Sequence, residues 1–227
     1  MKVLVACEES QTVCKAFRAR GHEAYSCDIQ ECSGGHPEWH IKADVLPLLN
    51  GDISFTTMGG CDVTIDKWDL IIAHPPCTYL TPAGAANIPK HPERIALGEE
   101  AARFFRLFLE ADCDHIAVEN PPPMLRFSIP RYSQIVRPWM FGDVNNKPIA
   151  LWLKGLPLLV PTNIVEKDTD IVVWIHKRTG ERKSCSRWYN TDTGHHNRHR
   201  SKTFQGIADA MAEQWGTLGG EHDGNAV

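Results

Sequence analysis

An apolar run that stops at two prolines is the feature that most constrains this chain. Leu70–Ala73 has the composition of a buried strand, and Pro75 and Pro76 follow after one further residue. Proline fixes φ and lacks a backbone donor, so the sheet cannot continue through this point. Cys77 comes next, on a stiff loop at the carboxyl end of a strand, where open α/β sheets bind ligands. The position suits a nucleophilic thiol, and a buried cysteine beside a rigid turn is the structural alternative.

Strand and helix patterns alternate through the first two thirds of the chain, which predicts an α/β fold with a mostly parallel, doubly wound sheet. Short apolar segments predict strands at residues 3–7, 23–27, 40–45, 68–73, 115–118 and 149–153, with a hairpin at 51–64. Apolar residues at helical spacing predict helices at 12–20, 94–111 and 206–215. Residues 1–161 together with 203–218 are expected to form the main domain.

Residues 162–202 break this pattern and are expected to form a small appended lobe, followed by a flexible tail at 219–227. The whole chain has a net charge of −4, yet eight basic and only two acidic residues lie between 177 and 202. Trp188 and Tyr189 lie among these charges. A basic segment with aromatic side chains suits a phosphate backbone and exposed bases, and a solvated loop is the alternative.

The number and spacing of the cysteines indicate in which cellular compartment the protein is found. Eight are spread over 227 residues rather than packed as a small disulfide framework. Neither an export signal nor an apolar run of membrane-spanning length is found. We therefore expect reduced thiols and a cytoplasmic location, without membrane association.

Four side chains with useful chemistry follow or end predicted strands: Asp28, Asp44, Cys77 and Glu119. In a parallel sheet these ends lie at one edge, which predicts a single site there. Carboxylates at strand ends suit hydrogen bonds from ribose hydroxyls or amino groups. A thiolate beside a carboxyl group suits nucleophilic attack with proton transfer to the attacked ring.

These motifs resemble those of the cytosine-specific (carbon-5) DNA methyltransferases, most closely the short phage-encoded members. Pro76-Cys77 is similar to the proline-cysteine pair after the family's fourth strand, and Glu119-Asn120 to the Glu-Asn pair after its fifth. Residues 203–208 (TFQGIA) resemble the late motif that completes the cofactor pocket, and 134–142 a diverged basic motif. The resemblance implies a Rossmann-like, class I methyltransferase fold.

The resemblance also implies a mechanism. Cys77 would attack carbon 6 of a cytosine flipped out of DNA, while Glu119, with Asn120 beside it, holds and protonates ring nitrogen 3. Carbon 5 would then take the methyl group of S-adenosylmethionine. The implied cofactor contacts are Cys7, Glu8, Glu9, Ser10, Asp28, Ile29, Asp44, Val45, His74, Pro75, Pro76 and Gly206. The implied DNA contacts are Arg137, Lys177, Arg178, Arg182, Lys183, Arg187, Trp188, Arg198 and Arg200.

Several features depart from the family pattern. The first loop, residues 7–11 (CEESQ), has no glycine where the family loop is glycine-rich. Pro121 replaces a valine after the Glu-Asn pair. The chain also lacks room for a large target-recognition domain, so short or relaxed sequence recognition by the basic lobe is expected.

Two alternatives stay open. An amino methyltransferase acting on adenine or cytosine has an acid or amide, two prolines and an aromatic ring, whereas this chain has His74 before its prolines and Cys77 after them. A non-catalytic nucleic-acid-binding protein stabilised by zinc is the other. Its ligands would come from one of two sets: Cys27, Cys32, His36 and His40, or Cys185, His195, His196 and His199.

Overall fold

Eleven strands and three α-helices form the described part of the chain. The computed structural model describes residues 1–50, 53–167, 171–175, 179–186 and 203–218. The strands are β1 (Lys2–Ala6), β2 (Glu23–Asp28), β3 (His40–Lys42), β4 (Ile53–Thr56), β5 (Asp62–Ile65), β6 (Leu70–Ala73), β7 (Ile116–Asn120), β8 (Gln134–Val136), β9 (Ile149–Lys154), β10 (Ile171–Ile175) and β11 (Arg182–Ser186). The α-helices are α1 (Thr12–Arg18), α2 (Glu93–Leu109) and α3 (Gln205–Trp215).

A mixed sheet of seven strands organises the molecule, in the order β3-β2-β1-β6-β7-β9-β8. The first five strands of this order run parallel to one another, whereas β9 is antiparallel to both β7 and β8. The direction of chain progression reverses between β1 and β6, as it does in doubly wound sheets. The predicted α/β class and mostly parallel sheet are confirmed, and the strand order is compatible with a Rossmann-like fold.

Both faces of the sheet are covered, which explains why its central strands are apolar throughout. All four residues of β6 are buried. On one face, Phe17 of α1 and Trp215 of α3 belong to the same buried cluster as Ile72. On the other face, Phe105 of α2 belongs to the cluster that contains Ile71. Each large side chain buried in this way stabilises the fold by roughly 1.5–3 kcal/mol.

The three predicted α-helices are found, as α1, α2 and α3. Within the described residues, the connections from β2 to β3 and from β3 to β6 contain 3₁₀ turns at Pro37–Trp39 and Leu46–Leu48 and the β4–β5 hairpin, but no α-helix. Prolines and glycines interrupt both segments, so a helix of useful length cannot form there. The predicted hairpin is confirmed.

Two short strands were not predicted. β8 has only three residues, and β11 has the polar sequence RKSCS. β11 pairs antiparallel with β10 in a separate two-stranded sheet. Both strands depend on their partners rather than on an apolar pattern of their own. The interpretation of residues 162–202 as a distinct lobe stays a prediction, and the predicted tail lies outside the described residues.

The start of α3 approaches the backbone of a neighbouring segment so closely that only glycine fits. A Cβ atom added to Gly206 would lie 1.7 Å from the carbonyl oxygen of Phe141. Because the obstructing atom belongs to the backbone, no change of rotamer relieves the clash. Gly206 thus has a packing role, and its contact with a cofactor stays a prediction.

We predict that Gly206→Ala destabilises the protein by about 1–3 kcal/mol, because α3 must move away from Phe141 to accept the new methyl group. Chemical denaturation measures the free energy of unfolding. Glu213→Ala is the matched control, because Glu213 is an exposed position of the same helix. Equal free energies of unfolding for the two variants would contradict the steric explanation.

Candidate functional site

The register of the parallel strands brings several predicted residues to one edge of the sheet. Ala6 of β1 is paired with Ala73 of β6, and Ala73 with Val118 of β7. The next residues along these three strands form the adjacent row: Cys7, His74 and Glu119. This row lies at the carboxyl ends of the strands where the strand order reverses, the place where open α/β sheets bind ligands.

The centre of this row is a buried ion pair between His74 and Glu119. His74 Nδ1 donates to Glu119 Oε2 over 3.0 Å, and the two side chains are only 8% and 12% exposed. Burial by itself lowers the pKa of His74, but the hydrogen bond and charge of Glu119, with the charge of Glu8, outweigh it and raise that pKa. Burial by itself raises the pKa of Glu119, but His74 and the charge of Lys147 lower it. Both shifts favour the charged forms.

Two buried polar atoms at this edge have no hydrogen-bond partner among the described residues. They are His74 Nε2 and Asn120 Oδ1. Asn120 does use its amide nitrogen, since Nδ2 donates to the carbonyl oxygen of Pro75 over 2.8 Å. Buried polar groups in native proteins normally find a partner. The edge therefore offers one imidazole nitrogen and one amide oxygen to a further group.

Cys77 lies on the loop that follows β6, three residues after His74. Its carbonyl oxygen accepts hydrogen bonds from the amides of Leu80 and Thr81 at 3.0 and 3.3 Å, which closes a turn around it. The amide of Met124, on the loop after β7, donates to the carbonyl oxygen of Leu80 over 2.8 Å. The loop that carries Cys77 is thus joined to the loop after β7 by this backbone bond, and to the end of β7 by the side chain of Asn120. Of the two prolines, Pro75 is buried and Pro76 exposed.

The glycine-free loop after β1 makes its sharp turns with other residues. Cys7 and Gln11 adopt left-handed φ angles of 59° and 58°. Such angles strain residues that carry a side chain, typically by about 1–3 kcal/mol. Burial, followed by the charges of Asp28 and Asp44, raises the pKa of the Cys7 thiol. Cys7 is therefore a protonated thiol near both predicted strand-end aspartates.

Glu8 is committed to the start of α1. Its Oε1 accepts from the amide of Val13 at 2.7 Å and its Oε2 from the amide of Cys14 at 3.2 Å. A carboxylate at this position satisfies free amides of the first helical turn and complements the helix dipole. Burial raises the pKa of Glu8, while the charge of His74 and the backbone donors oppose that rise. Glu8 therefore caps α1, and its contact with a cofactor stays a prediction.

The other residues of this loop differ in accessibility. Ser10 is buried and its hydroxyl lies 3.1 Å from that of Thr12. Glu9 is half-buried, so it keeps some contact with solvent.

The two strand-end aspartates form local turns. Asp28 Oδ1 accepts from the amide of Gln30 at 2.9 Å, and Asp44 Oδ1 accepts from the amide of Leu46 at 3.0 Å. Aspartates often make such turns after a strand. Ile29, directly after Asp28, is 76% exposed, which is unusual for a large apolar residue. Val45 is buried in the core, and its contact with a cofactor stays a prediction.

Three residues around the ion pair were not predicted in these roles. His74 was expected to contact a cofactor rather than Glu119. Thr203, just before α3, places its hydroxyl 3.5 Å from His74 Nδ1, and the charge of Lys147 acts on both members of the pair. The signal in the sequence was that His74 and Glu119 end successive core strands. Recognising the pair required knowing that those strands are neighbours.

Most of the predicted DNA contacts lie outside the described residues: Lys177, Arg178, Arg187, Trp188, Arg198 and Arg200. Arg182 is exposed at the start of β11, and the backbone of Lys183 follows it in the strand. Arg137 donates to the carbonyl and side-chain oxygens of Asn146 at 2.7 and 3.1 Å. The DNA-binding role of these residues stays a prediction.

The first predicted zinc set does not assemble. His40 is buried, with Nδ1 2.9 Å from the Ser26 hydroxyl and Nε2 2.9 Å from the carbonyl oxygen of Gln30. His36 stacks on Trp39 and bonds Glu38. In the part of the chain that the structure describes, no group of three or more His, Cys, Asp or Glu side chains is arranged to hold a metal ion. The side chains of the second set, Cys185, His195, His196 and His199, lie outside the description.

An open surface cleft of about 510 Å³ lies elsewhere, between α1 and the segment that precedes β3. Lys15, Arg18, His22, His36 and Trp39 line it. None of the predicted catalytic or cofactor-contacting residues lines this cleft. Because of this lining, the cleft is not the candidate site. The candidate site is the row of polar residues at the edge of the sheet.

No protein-family model matches the chain, and no curated protein is significantly similar to it in sequence. Among the described helices, none is long and apolar enough to cross a membrane.

We predict that Glu8→Ala destabilises the protein by about 1–3 kcal/mol, because two buried amides of α1 lose their acceptor. The neighbouring substitution Glu9→Ala is the matched control and should change the free energy of unfolding by less than about 0.5 kcal/mol. Urea denaturation of both variants measures the difference. Similar losses from the two substitutions would refute the capping role.

We predict that breaking the His74–Glu119 pair costs about 3–5 kcal/mol, because one charge is left buried without its partner. The pKa of Glu119 is lowered, so its stabilising contribution exists above the pKa of an unfolded glutamate and is lost as pH falls through the folded value. The pKa of His74 is raised, so its contribution exists below the pKa of an unfolded histidine and is lost as pH rises through the folded value. The coupling energy should therefore be largest between the pKa of a glutamate and that of a histidine in the unfolded chain.

A double-mutant cycle with His74→Gln and Glu119→Gln, followed by urea denaturation across the pH range, measures that coupling. The exposed pair His91–Glu93 is the control, since its side chains are 59% and 62% exposed. The same cycle there should give little coupling at any pH. A flat coupling energy for His74 and Glu119 across pH would contradict the ion pair.

Proposed function

We propose that this protein is a DNA (cytosine-5-)-methyltransferase that uses S-adenosylmethionine and a covalent cysteine adduct. The observation that carries the proposal is that the Cys77 loop after β6 is joined to the end of β7, the adjacent parallel strand that holds Glu119. Asn120 Nδ2 donates a hydrogen bond to the carbonyl oxygen of Pro75, and the amide of Met124 donates one to the carbonyl oxygen of Leu80. A nucleophile and a ring-protonating acid need this kind of fixed relation to act on one base.

The edge of the sheet also fits the nucleoside half of the proposed cofactor. Asp28 and Asp44 bring carboxylate oxygens to the loops after β2 and β3, and both charges act on Cys7 after β1. Carboxylates at such positions accept hydrogen bonds from ribose hydroxyls and amino groups. The exposed side chain of Ile29 supplies an apolar surface for one face of the adenine. The strand order around β1 and β6 is compatible with a Rossmann-like, class I methyltransferase arrangement.

In the proposed mechanism, the Cys77 thiolate adds to carbon 6 of cytosine while the Glu119 pair stabilises charge at ring nitrogen 3. S-adenosylmethionine, when bound, supplies the methyl group from its sulfonium. A base then removes the proton from carbon 5, and Cys77 leaves with the electrons of its bond to carbon 6. Pro75 and Pro76 keep the Cys77 loop stiff, which limits the reorganisation that the addition requires.

The target base must leave the duplex to reach Cys77. In the proposal, the basic residues between 177 and 202 contact the phosphate backbone and hold the distorted DNA. Arg182 is exposed at the start of β11, as such a contact requires.

We predict that wild-type protein produces 5-methylcytosine in a host that lacks cytosine methylation, and that Cys77→Ala lowers this product about a thousandfold or more. The physical reason is that addition to carbon 6 is what makes carbon 5 nucleophilic. Mass spectrometry of nucleosides from the host DNA measures the product.

Cys61→Ala is the matched control, because Cys61 is an exposed cysteine at the β4–β5 hairpin and should leave the yield unchanged. Accumulation of N4-methylcytosine or N6-methyladenine would replace the proposal with an amino methyltransferase. Full activity in Cys77→Ala, or no modified base from a folded, DNA-binding wild type, would also overturn it.

A further inference from the structure

We propose that His74 is a positioning residue that shares one proton with Glu119 and supplies it, through that carboxyl group, to ring nitrogen 3 of the cytosine. The inference rests on the proposed function and extends it to a residue outside the thiol–carboxyl pair. It begins from the geometry of the row at the edge of the sheet.

The two groups are close, aligned and shielded from water. His74 Nδ1 and Glu119 Oε2 are 3.0 Å apart, and both side chains are about nine-tenths buried. They sit at the ends of β6 and β7, whose pairing of Ala73 with Val118 makes them neighbours. Among the described residues, the far nitrogen of His74, Nε2, has no hydrogen-bond partner. The hydrogen bond of Nδ1 to Glu119 is shorter than the contact of the same nitrogen with the Thr203 hydroxyl at 3.5 Å.

The charges around the ring favour a protonated imidazole. Glu119 faces it from β7, and Glu8 acts on it from the segment after β1. Lys147, from the segment before β9, opposes them, and the hydroxyl of Thr203 lies 3.5 Å away on the segment before α3. Two carboxyl groups favour the imidazolium and one ammonium group disfavours it, which agrees with the raised pKa of His74.

The pair keeps its proton mainly on the imidazole. Burial raises the pKa of Glu119, but His74 and the charge of Lys147 outweigh it and lower that pKa, so the carboxyl group beside His74 is ionised at neutral pH. The proton of the pair can lie on the imidazole with a charged carboxylate or on the carboxyl group with a neutral imidazole. These two arrangements differ only by the transfer of one proton within one hydrogen bond.

As the Cys77 sulfur forms its bond to carbon 6, the carbon 5–carbon 6 double bond shifts to carbon 4–carbon 5. The carbon 4–nitrogen 3 double bond opens toward nitrogen 3, which takes the proton of the pair. His74 is left neutral and Glu119 ionised. After methyl transfer, a base takes the proton of carbon 5, the double bond forms again, and the bond between sulfur and carbon 6 breaks with its electrons on sulfur. The proton on nitrogen 3 then returns to the pair.

The test is the pH dependence of the single-turnover rate of methyl transfer to unmethylated DNA. His74→Gln keeps a donor toward Glu119 but carries no ionisable proton. We expect its rate to fall by about a hundredfold, in the range typical of proton-transfer groups. We also expect it to lose the high-pH decline that the wild type shows when the imidazolium deprotonates. His115→Gln, at the other end of β7, is the matched control and should keep both the rate and the profile.

A wild-type profile in His74→Gln overturns the inference, even if the rate itself falls, because a structural role lowers the rate without removing a titration. A second measurement does not need activity. Nuclear magnetic resonance of ¹⁵N-labelled imidazoles should show His74 titrating above ordinary histidines in the wild type and at a lower pH in Glu119→Gln. Thermal unfolding establishes that each variant is folded.

The two proposals fail in different ways. If Cys77-dependent 5-methylcytosine forms but His74 titrates as an ordinary histidine, the shared proton is wrong and the proposed function stands. If no modified base forms while the titration of His74 depends on Glu119, the proton pair stands as a structural fact and its delivery to cytosine is overturned with the proposed function.

Discussion

The parallel pairing of β6 with β1 on one side and β7 on the other is the constraint on which the rest of the structure depends. It buries four consecutive apolar residues and requires helices on both faces to cover them. The same pairing fixes what lies just beyond the sheet. Because β6 stops at two prolines, the side chains after it gather with those after its neighbours instead of continuing into the core.

Buried ionisable groups are concentrated at this edge of the sheet. Transfer of an ion from water into a protein interior costs several kcal/mol, and a buried ion pair often stabilises no more than apolar residues of the same volume would. Here His74, Glu119 and Glu8 lie within electrostatic range of one another, and Cys7 beside them has a strained backbone. Perturbed titrating groups and backbone strain concentrate at functional sites, which supports a chemical role for this edge.

Glu8 shows how a chain without glycine in its first loop can still form a sharp turn there. Left-handed angles at Cys7 and Gln11 turn the backbone, and the Glu8 carboxylate compensates by capping α1. The carboxylate of Glu8 is thus used by the helix that follows it.

Much of the fold was predictable because it follows from local patterns of apolar and polar residues. Residues close in the sequence produce three of these patterns: the apolar run of β6, the apolar stripe along α2 and the acidic ends of β2 and β7. The α/β class and the position of Cys77 and Glu119 at the edge of the sheet could therefore be predicted from the sequence. Elements with weak local signals were missed. β8 is too short, and β11 too polar, to appear without the strands that pair with them.

The sequence by itself thus determined which residues end at the carboxyl edge of the sheet. Only the tertiary structure decided which of them touch. Three findings depend on the order of the strands and on the direction of each side chain. They are the bond of His74 to Glu119, the burial of Val45 in the core and the hydrogen bond between His40 and Ser26. They result from contacts between residues well separated in the chain, and no local pattern of polarity encodes them.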